Sequence, residues 1–235
     1  MIKAVSFDLW FTLIWETKED EELYLRMRLD SIRKSLEELG VEVSFEKIMR
    51  AYVETKDFRM LMPPDDLLRI LFTKLGLILE ENAFSRVVER YVESTDGFVP
   101  RLNEEAPEVL RELKRNGLKL ALVSNTSFST RSIRGILRNV GLDLFDVIIS
   151  SCDVGMIKPQ RGIFELLKEA LGLRGDEIIH VGDSCYHDVI GALQAGLKSA
   201  HYPKLALLRR NEAEDCEGPF LKIDSLRQLL EIVRS

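Results

Sequence analysis

Five polar residues stand at the ends of apolar, β-branched runs or in the loops that follow them: Asp8 after IKAVSF, Ser124 and Asn125 after LKLALV, Lys158 in the loop beyond DVIIS, and Asp183 after EIIHVG. Together they can carry out attack by a carboxylate on an electrophile that already bears negative charge. Asp8 would supply the nucleophile. Lys158, the Ser124 hydroxyl, the Asn125 amide and free backbone N–H groups of those loops would cradle the anion. Asp8 and Asp183, converging from neighbouring strands, repel each other unless a cation lies between them. Hard oxygen ligands with few other donors suit Mg2+, which keeps several waters and bridges to substrate phosphate. Phosphoryl transfer needs positioning and charge neutralisation, and this set offers both. Each residue alone has an ordinary role as well: an aspartate after a strand caps a helix or forms a turn, a Lys-Pro pair sits in a loop, and Ser-Asn-Thr caps the helix behind it. Their shared position at one sheet edge is what points to a site.

The elements that must place them alternate in texture. Strand-like runs occupy residues 2–7, 118–124, 146–150, 177–182 and 198–202, and a helical pattern precedes each of the last four, at about 106–115, 128–140, 160–171 and 188–195. Alternation of this kind implies parallel strands, right-handed crossovers and a sheet covered on both faces, with ligands at the carboxyl ends of the strands. The first strand breaks the pattern, because its partner arrives only at about residue 118. Between them, residues 17–96 read as helices alone. One spans about 18–39, with Leu25, Leu29, Ile32, Leu36 and Leu39 on its apolar face and Gly40 at its end; Ser44 starts another, Pro63-Pro64 a third that stops at Gly76, and a fourth covers about 80–93. A block of that size exceeds any loop. The expectation is a small all-helical cap, 17–96, inserted into an α/β core of 1–16 and 97–235.

Bulk properties narrow the classes. With 46% hydrophobic residues among 235, the chain can fill a sizeable interior. Acidic residues (39) outnumber basic ones (33), giving a net charge of -6, which argues against a nucleic-acid surface. There is no membrane-spanning run and no basic-then-apolar leader, so a cytoplasmic protein is expected. Cys152, Cys185 and Cys216 stand far apart, and neither a disulfide framework nor a zinc site is signalled. The acidic stretch at 211–219 reads as a solvated loop.

The four strand-end segments, in this order, resemble the haloacid dehalogenase superfamily of hydrolases over nearly the whole chain. Asp8 to Thr12 (D-L-W-F-T) resembles its first motif, Ser124 in LVSNT its second, Lys158 in KPQRGIF its third, and GDSCYHD with Asp183 and Asp188 its acidic fourth. The resemblance implies a Rossmann-like core, an aspartyl intermediate on Asp8, Ser124 and Lys158 acting with it, and Mg2+ held by Asp8, Asp183 and the main-chain carbonyl of Trp10. Asp188 and Ser184 would support that site, with Trp10, Asn125, Ser124 and Lys158 against the substrate phosphate. One position departs from the pattern: most phosphatases of the superfamily carry a second aspartate where this chain has Trp10. That aspartate protonates the leaving oxygen and later activates water, and an indole has no such proton.

Three functions follow. The first is Mg2+-dependent hydrolysis of a small phosphorylated metabolite, favoured by the Gly-Asp of the fourth motif. The second is dehalogenation of a 2-haloacid, favoured by an aromatic residue at position 10, where such dehalogenases carry Tyr, and opposed by Asp183, where they carry a metal-free S-S-N pattern. The third is a phosphate- or partner-binding protein without turnover. Neither nucleic acid nor membrane is an expected partner, and a monomer or a homodimer fits equally. His187 reads as a solvated loop residue, His180 as a satisfied core residue, and Cys185 receives no chemistry. Phe58, Arg59, Met60 and Met62 form a cap segment that can face the site.

Overall fold

The structure, a computed structural model, describes residues 1–208 and 216–234. Its strands in chain order are β1 (Ala4–Phe7), β2 (Ile14–Trp15), β3 (Arg101–Leu102), β4 (Lys119–Ser124), β5 (Val147–Ser150), β6 (Ile178–Gly182), β7 (Lys198–His201) and β8 (Leu221–Lys222). Among the described residues, six of them form one sheet in the order β5-β4-β1-β6-β7-β8, every pair parallel. The strand order reverses beside β1, between β4 and β6, so the loops after those three strands open into one crevice.

All four residues of β1 are buried, and their alternation divides the interior. Val5 and Phe7 join Leu120, Leu122, Ile179 and Val181 on one face; Ala4 joins Ala121, Val123 and Ile178 on the other. The helices can be numbered along the chain as α1 (Lys18–Glu38), α2 (Phe45–Val53), α3 (Pro64–Leu75), α4 (Glu81–Glu93), α5 (Ala106–Arg115), α6 (Thr130–Asn139), α7 (Ser151–Val154), α8 (Arg161–Leu171), α9 (Gly191–Gln194) and α10 (Leu229–Ile232). Helices α5, α6 and α10 cover the first face through Val109, Ile136 and Leu229, whereas α8 and α9 cover the second through Phe164, Leu167 and Ala192. The parallel α/β sheet with helices on both faces is thus as the alternating pattern predicts.

Helices α1 to α4 surround an apolar cluster of their own, which includes Leu29, Ile32, Leu36, Leu68 and Phe84. Their ends follow local chemistry. Thr17 caps α1 in a reciprocal box, accepting from the Asp20 amide at 3.3 Å while its own amide donates to Asp20 Oδ2 at 2.9 Å. Ser44 accepts from the Lys47 amide without a matching glutamate, and Gly76 closes α3 at φ 71°, a left-handed conformation that glycine adopts without a Cβ clash. The chain leaves the sheet along β2 and returns along β3, paired antiparallel through Ile14↔Leu102 and Trp15↔Arg101. That ribbon is too short to show in a sequence pattern.

Three local expectations are corrected. The helix expected over 188–195 starts earlier, as a π-helical turn Cys185–Ile190 in which the Val189 amide reaches back five residues to the Ser184 carbonyl at 3.2 Å, before α9. Cys185 and Cys216 form a disulfide with Cα atoms 5.5 Å apart. Their separation of 31 residues carries no pairing signal; only the return of the chain past β7 brings them together. Within the acidic stretch 211–219, residues 211–215 lie outside the described residues, and Cys216 is buried rather than solvated.

Candidate active site

β1 ends by delivering Asp8 between two neighbours: the Asp8 amide donates to the Val181 carbonyl on β6 at 2.8 Å. The chain then turns back at once, with the Leu13 and Ile14 amides bonding the Leu9 carbonyl at 3.0 and 3.1 Å. Phe11 inside this turn takes φ 60°, a conformation that a non-glycine residue adopts only when its surroundings impose it.

Lys158 is 1% exposed and its ammonium donates to Asp8 Oδ1 at 2.5 Å and to Asp188 Oδ1 at 2.6 Å. Asn125 fixes the lysine's main chain from both sides, its Nδ2 donating to the Lys158 carbonyl at 2.9 Å and its Oδ1 accepting from the Lys158 amide at 2.7 Å. Asp188 also accepts from the Ser184 amide at 3.0 Å and meets His180 Nε2 at 3.1 Å. Because a carboxylate only accepts, His180 donates through Nε2, and its Nδ1 accepts from the Ser6 hydroxyl at 3.0 Å. Burial holds His180 below its ordinary pKa against the pull of Asp188, which keeps that tautomer neutral.

The electrostatics of the two carboxylates diverge. Burial pushes Asp8 up to about 6, in part offset by Lys158 and reinforced by the charge of Asp188. Burial acts on Asp188 in the same direction, but Lys158 and His180 outweigh it and hold its carboxyl below the usual range. Lys158 in turn loses stability as a cation through burial and regains more from Asp188 and Asp8, so its pKa lies above the ordinary value. It therefore stays charged at neutral pH.

Oxygen atoms of Asp8, Asp183 and Asp188, all buried, lie within 4.8 Å of one another. Three converging carboxylates with no softer donor among them are the hard set that Mg2+ takes, and the raised pKa of Asp8 marks a place where added positive charge is favourable. The donor set fits the ion. Asp183 is held from behind, where His201 Nε2 donates to its carbonyl at 3.0 Å.

The expected site residues do not all have the same surroundings. A cavity of about 570 Å³ is lined by Asp8, Trp10, Asn125, Lys158, Asp183, Ser184 and Asp188. Ser124 is not part of this lining; it is fully buried, and its hydroxyl has no hydrogen-bond partner. Trp10 packs its ring 5.7 Å from Phe128 and 6.4 Å from Tyr24 of α1. Lys56, Asp57, Arg59 and Met60 complete the lining from the segment between α2 and α3; Phe58 and Met62 do not reach it. Sequence reasoning missed Glu16, Glu21, Tyr24 and Phe128 as lining residues and His180 as a support for Asp188, since none has a spacing that distinguishes it from a cap or core residue. His187, read as a solvated loop residue, also lines the cavity.

A family model for haloacid dehalogenase-like hydrolases matches residues 2–196, and the chain belongs to that family. It is 33% identical to an (S)-2-haloacid dehalogenase of Pseudomonas sp. (strain YL), with 98% of this chain and 94% of the other covered. It is 27% identical to a glyceraldehyde 3-phosphate phosphatase of Methanopyrus kandleri, covering 100% of this chain and 98% of that one. Among solved structures it is similar to a HAD phosphatase from Thermococcus onnurineus, with a TM-score of 0.61, 26% identity, and 99% and 98% of the two chains covered. The protein is thus a hydrolase of this family, similar to members named for two different reactions.

Proposed function

We propose that the chain is a Mg2+-dependent hydrolase of a small phosphate monoester that forms an aspartyl-phosphate on Asp8. The observation that carries this reading is the placement of Asp183 with Asp8 and Asp188 in one set of buried oxygen donors. Asp8, Asp183 and the main-chain carbonyl of Trp10 would hold the ion, which when bound neutralises charge on the phosphate and the carboxylates. Lys158 favours the ionised form of Asp8 by its ion pair and stands ready to meet a phosphate oxygen, while Ser124, buried and outside the cavity lining, keeps an unpartnered hydroxyl. Asp8 Oδ attacks phosphorus, the ester oxygen leaves with the bonding pair, and water then cleaves the acyl phosphate to regenerate the carboxylate. The similarity to a glyceraldehyde 3-phosphate phosphatase supports a small phosphorylated metabolite as the substrate class.

Trp10 has no proton for the departing oxygen, so the rate should depend on the leaving group. Aryl and acyl phosphates should turn over better than alkyl phosphates. A positioned acid contributes about 10² to 10⁴ in rate, and Trp10→Asp should raise the alkyl-to-aryl rate ratio by up to that factor. The ratio is the quantity to measure, because the indole packs on Tyr24 and Phe128 and its loss costs roughly 3 to 5 kcal/mol of stability. An unchanged ratio in a folded variant would show that another group already supplies the proton.

The second reading, 2-haloacid dehalogenation, draws on the aromatic residue beside the nucleophile and on the 33% identity to an enzyme named for that reaction. Halide leaves without a proton. Phosphate release from a panel of esters with and without Mg2+, beside halide release from 2-chloropropionate, separates the two: phosphate only with metal supports the first, halide without metal the second. Neither product, with tight vanadate binding, would instead support a binding protein.

A further inference from the structure

Arg28 on α1 is 2% exposed and, among the described residues, makes no ion pair with a carboxylate. A guanidinium taken out of water in this way is expensive unless its donors and its faces are well met. Here the two terminal nitrogens and the faces are met from two bodies, while the buried Nε has no hydrogen-bond partner. Nη1 donates to the Tyr52 hydroxyl at 3.2 Å and to Ser127 Oγ at 2.9 Å, while Nη2 donates to the Ser127 carbonyl at 2.9 Å. The plane lies 4.0 Å from the centre of the Phe128 ring and 5.1 Å from that of Tyr91. Tyr52 and Tyr91, whose hydroxyls are 3.1 Å apart, belong to α2 and α4; Ser127 and Phe128 belong to the loop after β4.

That loop is otherwise anchored from the core. Asn125 clasps the Lys158 main chain, and Thr126 donates its amide to Ser151 Oγ at 2.9 Å and accepts from the same hydroxyl at 3.1 Å. Arg28 adds hydrogen bonds from the helical layer, two of them to a single serine, a fork that a lysine cannot reproduce. We propose that Arg28 is a positioning residue of the anion cradle: by holding Ser127 and Phe128 from α1 it sets the loop that carries Asn125, and through Asn125 the main chain of Lys158. The cradle then takes its binding shape only while the helical layer is seated on the sheet. The proposal rests on the phosphatase reading for what the cradle binds, though not for how the loop is held.

The test uses the full chain with Arg28→Lys and Ser127→Ala. In Mg2+ with p-nitrophenyl phosphate, Arg28→Lys should raise KM, and weaken inhibition by inorganic phosphate, by about tenfold or more, with a smaller change in kcat. Ser127→Ala should move both in the same direction by less. Amide exchange over 124–129 should quicken in each variant while α2 and α4 stay protected. KM and phosphate inhibition within twofold of the parent, with unchanged exchange at 124–129, would overturn the proposal. So would faster exchange spread evenly through α1 to α4 with KM unmoved, which would make Arg28 merely a packing residue. If Arg28→Lys does not fold, Ser127→Ala decides by the same readouts. If the parent releases no phosphate at all, the phosphatase reading fails, and the exchange measurement still decides whether Arg28 holds the loop.

Discussion

The two walls of the cavity are built differently. On the sheet side, Asp8, Asp183, Asp188 and Lys158 are all at least nine-tenths buried, and Lys158 alone joins two of these carboxylates. On the helical side, Lys56, Asp57 and Met60 face solvent, and Arg59 is half-buried with its guanidinium 5.0 Å from the Tyr52 ring. Charges fixed in a desolvated pocket keep their orientation as a reaction proceeds, whereas solvent-facing side chains can adapt to the shape of what enters. On the proposed function, the contrast would give the type of reaction to the strand ends and the choice of substrate to the helices.

That division can be broken by substitution. The largest effect belongs to Asp8→Asn, which should lower turnover by about 10⁴ or more while circular dichroism and melting stay near those of the parent, since the amide keeps the shape and removes the nucleophile. Lys158→Met strips the shared cation from two buried carboxylates, and breaking such a pair should cost roughly 3 to 5 kcal/mol in a denaturant titration besides most of the activity. Cys216→Ser opens the bridge to Cys185 and should cost about 3 kcal/mol, read as a lower midpoint that matches the parent under reductant. Arg59→Ala is the mildest: a change of less than about tenfold for a small aryl phosphate, with a reordered preference among larger esters. If Arg59→Ala instead abolished turnover on every ester, the helical wall would belong to the chemistry and the division would fall.

Much of the sheet side was legible in the sequence because a strand and the loop behind it occupy adjacent residues. Asp8, Asn125, Lys158 and Asp183 each end or follow a β-branched run, and the alternation of runs with helical patterns is enough to bring those ends to one edge. Other features depend on contacts between distant residues. Trp10 was legible as a departure from the motif but not as a ring packed on Tyr24 and Phe128. His180 looks like any buried strand residue until Asp188 folds back over it through the π-helical turn. Ser124 has the residue type its position calls for, yet it is buried and does not line the cavity. The Cys185–Cys216 bridge and strand β8 depend on where the chain returns after β7, and no local pattern carries that information.

The central place of β1 bears on how the chain is made. Ala4 pairs with Lys119 on one side and Ile178 on the other, so β1 leaves a ribosome before either neighbour and has to wait for both. At about 5 to 20 residues per second that wait is on the order of ten seconds for the nearer one. Helices α1 to α4, which enclose an apolar cluster of their own, are completed before that interval ends. A nascent chain therefore carries Asp8 long before it carries Lys158, Asp183 or Asp188, and the carboxylate acquires its unusual surroundings only once synthesis has reached residue 188.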